Sequence, residues 1–412
     1  QPFILACFGA ITLVLLPVLA AVGVFYLPDL SAFAIASILF MTAAQALFEI
    51  MQETRRARHE SARFARFSVG RSLTSFSFGT TGAILFQSGS AVVTGIAVGF
   101  GALALISLFD LRRREGDERV GLDAVRRFTR YGLPLALSGL VFSGNSTLAR
   151  LIVSTMLGAA AAGHFGAAMD ITNQLTGIIA SAVAAILGPT AIRAYKNGGA
   201  AAAQRQLAVG VELFLAAMVP AIVGLVLVAR SFGEVVAGRD FEAEIGMLLP
   251  WLAASRGLNA FAQYYLHLGF QIVERPMRQV VCGAATLVVN VVASIVLIQH
   301  YGIVGAAFGI LIGDLVGVLI SVLLLRPVFP MPIPPRSVAA IALCAGAMAL
   351  VCLPLDAVLR GNAYLALGGT IAAGGLTYVA MAYILDVAQL RTRLVDNAIG
   401  KLKRMGRRHG TG

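Results

Sequence analysis

Twelve apolar runs follow one another along the chain, and they constrain it more than anything else in the sequence. They cover 3–26, 31–51, 67–87, 90–110, 132–157, 162–190, 208–229, 246–271, 279–299, 303–325, 337–355 and 363–385. At about 1.5 Å per helical residue, each is long enough to cross a hydrocarbon core of roughly 30 Å. Backbone N–H and C=O groups find no water in lipid, so runs of this kind are expected to be α-helices. With 58% hydrophobic and 13% charged residues, the composition excludes a soluble domain. The expected class is an all-α polytopic membrane protein with twelve transmembrane helices.

The formal net charge of +12 would suit a nucleic-acid partner if the cations were clustered, but they are segregated. Loops placed alternately on one side, 54–71, 112–130, 191–207, 272–278, 326–336 and 386–412, hold 27 of the 32 Lys and Arg. The other side holds Arg230, Arg239 and Arg360, and the remaining two, Arg150 and Arg256, fall well inside runs. By the positive-inside rule the first set faces the cytoplasm, together with both ends of the visible chain. The basic tail after Asp386 then reads as a solvated anchor near anionic headgroups, and membrane lipid rather than nucleic acid is the expected partner of the excess charge.

Cys7, Cys282, Cys344 and Cys352 all lie in apolar runs without metal-ligand spacing and are expected to be buried fillers. Trp251 beside Pro250 reads as an interfacial anchor on the outer side. No cofactor is expected.

"GIAVGFGALALISLFDLR" (95–112) aligns without a gap on "GILIGDLVGVLISVLLLR" (309–326), with eight of eighteen positions identical. Gly95/Gly309, Gly99/Gly313 and Ser107/Ser321 are among them. Both segments run from outside to inside, as expected for a parallel repeat about an axis along the membrane normal. The offset of 214 residues puts the start of the first half about two spans before Gln1. The expected organisation is 1–111 as the remainder of an N-terminal lobe and 112–130 as a cytoplasmic inter-lobe loop. A six-span C-terminal lobe follows over 131–326, then two extra spans over 337–385 and the basic cytoplasmic tail over 386–412.

"YGLPLALSGLVFSGNSTLARLIVSTMLGAAAAGHFGAAMDI" (131–171) resembles the seventh span and following turn of polysaccharide and oligosaccharide flippases. These belong to the multidrug/oligosaccharidyl-lipid/polysaccharide (MOP) exporter superfamily. The shared features are a Leu-Pro near the cytoplasmic end, an arginine well into the span, and a Leu-Gly step into the next helix. "YGIVGAAFGILIGDLVGVLISVLLL" (301–325) is similar to the family's twelfth span, with its glycine-rich opening. Ala149 stands where many relatives have an acidic residue before the arginine. The resemblance implies that the visible runs are spans three to fourteen of a MATE-like fold with two six-helix lobes.

That resemblance also implies a function: moving an undecaprenyl-pyrophosphate-linked oligosaccharide across the bacterial inner membrane by alternating access, for surface or exopolysaccharide biosynthesis. The expected form is a functional monomer near polysaccharide assembly proteins, coupled to H+ or Na+. Such a cargo needs a cation for its diphosphate, and the guanidinium fork suits that better than an ammonium. Arg150 and Arg256 are the candidates, with Asn145, Asn173, Gln174 and Gln263 for sugar hydroxyls and Asp170, Asp314 and His267 for ion coupling. Charges inside spans cost roughly 2.5–3.5 kcal/mol on insertion scales and usually face a bundle interior or a wet cavity.

Blander alternatives stand beside each. The arginines can snorkel to the outer interface. The aspartates can pair with them, and the amides, Asn290 included, and the histidine can simply join helices.

A lipid II flippase and a cation-coupled drug exporter are the alternatives within the superfamily. A polytopic glycan-processing enzyme is the alternative outside it, and its usual signatures are missing. His164 and Asp170 are six apart where an acyltransferase His-x-x-x-x-Asp needs five, and there is no Asp-x-Asp, phosphate-binding loop or His/Cys cluster. An enzyme is therefore not expected. Twenty-nine Arg against three Lys, with abundant Ala and Gly, point to a GC-rich bacterial source.

Overall fold

The computed structural model describes residues 32–57, 60–87, 89–112, 122–237, 242–359 and 361–389, with Pro17 and Arg391. The first apolar run with Cys7, the centre of the 112–130 loop and most of the basic tail lie outside these residues. Every described regular element is helical. Among the described residues, seven helices are long and apolar enough to cross a membrane, two of them, Ala159–Leu227 and Pro276–Leu325, long enough for more than one passage. Two compact units meet in sequence between Val125 and Arg126.

The first unit contains α1 (Ala32–Ala57), α2 (Ser61–Phe86) and α3 (Gly89–Arg112). α2 and α3 form an antiparallel pair: a Cβ on Gly99 would stand 3.1 Å from Thr74, and one on Gly82 would stand 2.5 Å from the Ala91 carbonyl oxygen. α1 lies parallel to α3, tied at one end by Ser37 and Thr94 (3.0 Å) and at the other by Arg55 and Ser107. Small residues at the crossing bring the backbones close, which is how helices gain contact where lipid supplies no hydrophobic drive.

The second unit continues from α4 (Leu122–Leu157) into α5 (Ala159–Leu227), α6 (Ala229–Phe232) and a π-helical turn (Gly233–Ala237). Then come α7 (Glu242–Phe261), a second π turn (Ala262–Leu266), α8 (His267–Ile272), α9 (Pro276–Leu325), α10 (Pro335–Leu359) and α11 (Ala363–Ile384). α5 and α9 are each folded back at a single glycine. Gly199 (φ 68°) and Gly302 (φ 56°) take left-handed conformations that side chains resist, and both chains reverse there. Within α5, Leu187 and Ala191 pack against Ala203, Leu207 and Val211 in one buried cluster.

The 191–207 segment, expected as a loop, is therefore helix on both sides of Gly199. Ala, Arg, Lys and Gln favour helix without being apolar, so hydropathy marks where the membrane ends and not where the helix does. The same reason applies to α4, which begins at Leu122, ten residues before the expected span.

The two arms of the α9 hairpin pack closely along a glycine stripe. Gly305, Gly309, Gly313 and Gly317 recur every four residues and face Ile298, Ser294, Asn290 and Thr286, which recede every four residues in the first arm. A Cβ on Gly313 would stand 2.8 Å from that of Asn290. α10 and α11 pack on each other and on the 200–227 arm of α5, where the Tyr378 hydroxyl donates to the Ala216 carbonyl at 2.8 Å. Cys282, Cys344 and Cys352 are buried and unpaired, as filler cysteines should be.

Candidate functional site

Two arginine–aspartate pairs in the second unit differ sharply in their surroundings. Arg256, fourteen residues into α7, meets Asp314 of α9 at 2.9 Å, with side-chain exposures of 6% and 0%. Asp314 also accepts from the Ser255 hydroxyl at 2.5 Å and from the Asn259 amide at 3.0 Å. Both carboxylate oxygens are thus engaged by α7, whose spacing 255, 256, 259 turns one polar stripe toward α9. Gly313 and Gly317 flank Asp314 and let α9 close on its own first arm.

The second pair, Arg150 of α4 with Asp170 of α5, is open, at 38% and 65% side-chain exposure. Arg150 is seven residues from the end of α4 and Asp170 eleven beyond the first residue of α5. The pair forms across the Leu157–Gly158 corner, where Gly158 (φ 91°) reverses the chain. Gly166, one turn before Asp170, leaves room for the Arg150 side chain, whose Cδ would lie 3.9 Å from a Cβ there. The acidic partner that the sequence does not place beside Arg150 thus comes from the next helix.

Deeper along α4, Asn145 accepts from the Asn290 amide at 2.6 Å, and Asn290 in turn accepts from Ser294 at 3.1 Å. The Asn145 Nδ2 is buried with no partner among the described residues. His267 faces Ser321 at 3.3 Å and is buried. Asn173 and Gln263 are half-buried and Gln174 is exposed, and their side chains make no hydrogen bond to other described residues. The nine expected site residues therefore separate into an open pair, a closed network, an amide ladder, a buried histidine and three unengaged amides. Trp251 is 40% exposed, its ring edge-on to Phe308 with centroids 4.6 Å apart.

The first unit holds charges that sequence reasoning counted with a loop. Arg55 is completely buried, donating to Ser107 Oγ at 2.6 Å, the Ser107 carbonyl at 3.2 Å, Gln52 at 3.3 Å and Asp110 at 3.3 Å. Its guanidinium carbon stands 3.9 Å from the centre of the Phe67 ring. Arg71, ten residues into α2 and so about 15 Å along it, meets Glu49 of α1 at 2.6 Å beside the rings of Phe48 and Phe100. The available signal for Arg55 was Gln52, about one helical turn before it, just past the end of an apolar run. For Arg71 it was the run of small and hydroxyl residues that follows.

Ser107 and Ser321, identical in the aligned repeat, are both buried. Each meets a nitrogen-bearing side chain from the helix packed parallel to it, Arg55 in one case and His267 in the other.

Comparison with known proteins agrees with this architecture. With 14% identity over 93% of this chain and 82% of the other, the fold matches the solved structure of the lipid II flippase MurJ in an inward closed conformation, at a TM-score of 0.71. An outward-facing multidrug resistance MATE family transporter of the MOP superfamily matches at 0.61, with 15% identity over 78% and 75% of the two chains. A MOP superfamily transporter from Pyrococcus furiosus matches at 0.61, with 16% identity over the same shares. No curated protein matches the chain. Residues 3–245 match the family model described as polysaccharide biosynthesis protein, and the chain belongs to that family, with the fold of a MOP transporter.

Proposed function

We propose that the protein is a flippase for undecaprenyl-pyrophosphate-linked oligosaccharides, moving them from the cytoplasmic to the outer leaflet of the bacterial inner membrane by alternating access. Family membership supports a role in polysaccharide biosynthesis, and the fold supports transport. The observation that carries the reading to a specific site is the open Arg150–Asp170 pair. An arginine whose partner carboxylate is 65% exposed keeps N–H donors that an incoming diphosphate can take. Arg256 has the opposite character, held by a completely buried carboxylate. Arg150 is accordingly the diphosphate ligand, and Arg256 a structural partner of Asp314.

Asp170 is the coupling group in this reading. A proton or Na+ on its carboxylate weakens its hold on Arg150 and frees the guanidinium for cargo. Asn173 and Gln174, three and four residues beyond Asp170 on α5, lie within a turn of it and contribute hydrogen bonds to sugar hydroxyls. Gln263 on the π turn offers a further amide. The protein works as a monomer with both visible termini in the cytoplasm, beside the polysaccharide assembly machinery.

Reconstitution in vesicles tests the function. Fluorescent undecaprenyl-pyrophosphate oligosaccharide should become accessible to an impermeant quencher only when the protein is present. Movement of lipid II, or of a cationic drug, in place of that substrate would overturn the assignment.

A further inference from the structure

Away from both arginine–aspartate pairs, a cavity of about 600 Å³ opens at one end of the second unit. Its walls are the Ile192–Lys196 stretch of α5 just before the Gly199 reversal, the turn at 271–275 between α8 and α9, and Val328 in the proline-rich link. These elements hold one another firmly. Gln204 and Tyr265 donate to the Pro330 and Pro332 carbonyls at 3.0 and 2.5 Å, and buried Phe329 sets its ring edge-on to Tyr195. At the turn, Glu274 sits at φ 54°, and the Arg275 N–H returns to the Phe270 carbonyl at 2.8 Å. That arrangement is a left-handed helix termination, which sets the backbone course at Glu274 and Arg275.

The polar lining is Tyr195, Lys196, Gln271, Glu274 and Arg275, and none of these side chains makes a hydrogen bond or ion pair to the other described residues. Arg275 is also the N-cap of α9, where the helix dipole adds positive potential. The apolar lining is Ile192, Ile272, Val273 and Val328, interspersed with these polar groups. Lys196, Glu274 and Arg275 are exposed, and two cations against one carboxylate leave one positive charge for an occupant to neutralise. A monoanion whose charged end sits beside an apolar body fits that balance better than a dianion.

We propose that this cavity binds the phosphodiester headgroup of an anionic membrane phospholipid, with Lys196 and Arg275 on the phosphate and the apolar lining residues along the first carbons of the acyl chains. Helix ends and the turns that link them are where such headgroups lie in a multi-pass protein, and each nearby Lys or Arg adds to the attraction.

Native mass spectrometry of the full chain in detergent, titrated with phosphatidylglycerol, phosphatidylcholine or inorganic phosphate, tests this. Phosphatidylglycerol should bind, the zwitterionic lipid should not, and inorganic phosphate should fail to displace the lipid. Lys196→Gln and Arg275→Gln should each weaken phosphatidylglycerol about fivefold, the factor expected for one cation near an anionic headgroup. Glu274→Gln should tighten it by a similar factor, a gain that damaged folding cannot imitate. Arg336→Gln, outside the cavity, should leave it unchanged. Equal binding of the two lipids, displacement by inorganic phosphate, or a Glu274→Gln variant that binds more weakly would each overturn the assignment.

Discussion

Asp314 receives Arg256 at 2.9 Å with both side chains enclosed, and Ser255 and Asn259 also donate to its carboxylate. A pair so enclosed costs much to break on one side only, because the survivor keeps its charge without a partner. Asp314→Ala and Arg256→Ala should each destabilise the protein by about 3–5 kcal/mol. Replacing both with apolar residues should recover much of that loss. Thermal unfolding of the purified single and double variants in detergent measures it, and additive losses would show that the two residues do not act as a pair.

The glycine stripe of α9 yields a packing prediction. Gly313→Ala puts a methyl 2.8 Å from the Asn290 Cβ and 3.0 Å from its backbone, so the hairpin arms must separate. Overpacking of this kind costs roughly 1–3 kcal/mol. Gly346→Ala meets nothing within 4 Å and should be silent. Unfolding temperature and folded yield of the two variants make the comparison.

Orientation is testable with cysteines. In a background without the native four, Ala200→Cys and Gly361→Cys place thiols at exposed helix ends that the charge pattern assigns to opposite sides. An impermeant thiol reagent should label position 361 in intact cells and position 200 only after disruption. Labelling of position 200 in intact cells would reverse the orientation and with it the proposed direction of transport.

Helix existence was legible from hydropathy because lipid permits few alternatives, and the turn at Gly302 falls in the three-residue gap between two predicted runs. Helix ends were not legible. Leu122–Arg130 and Ala191–Leu207 are helical although a hydropathy window does not register them, and Ala191, Ala203 and Leu207 are buried against each other in the α5 hairpin. Among site residues, the intramembrane charges Arg150, Asp170, Arg256 and Asp314 were visible as exceptions to an apolar background. Their pairing was not, since Arg256 and Asp314 lie 58 residues apart in sequence and meet only once α9 has folded beside α7. Arg55 and Arg71 were missed because both sit near the end of an apolar run, where a buried arginine and a solvated one look alike. Ser107 and Ser321, paired by the repeat alignment, each meet a nitrogen-bearing side chain, Arg55 and His267.

Arg150 carries the account, and its substitution by lysine is the most direct test. Lysine keeps the charge but lacks the two-pronged geometry that a diphosphate takes, while alanine removes both. Glycan export by a flippase-null strain carrying each variant, with protein level and membrane insertion checked, is the measurement. The account predicts that Arg150→Ala abolishes export and Arg150→Lys falls at least about tenfold short, corresponding to about 1.4 kcal/mol of lost interaction, with both proteins inserted normally. Full export by the lysine and alanine variants would contradict it.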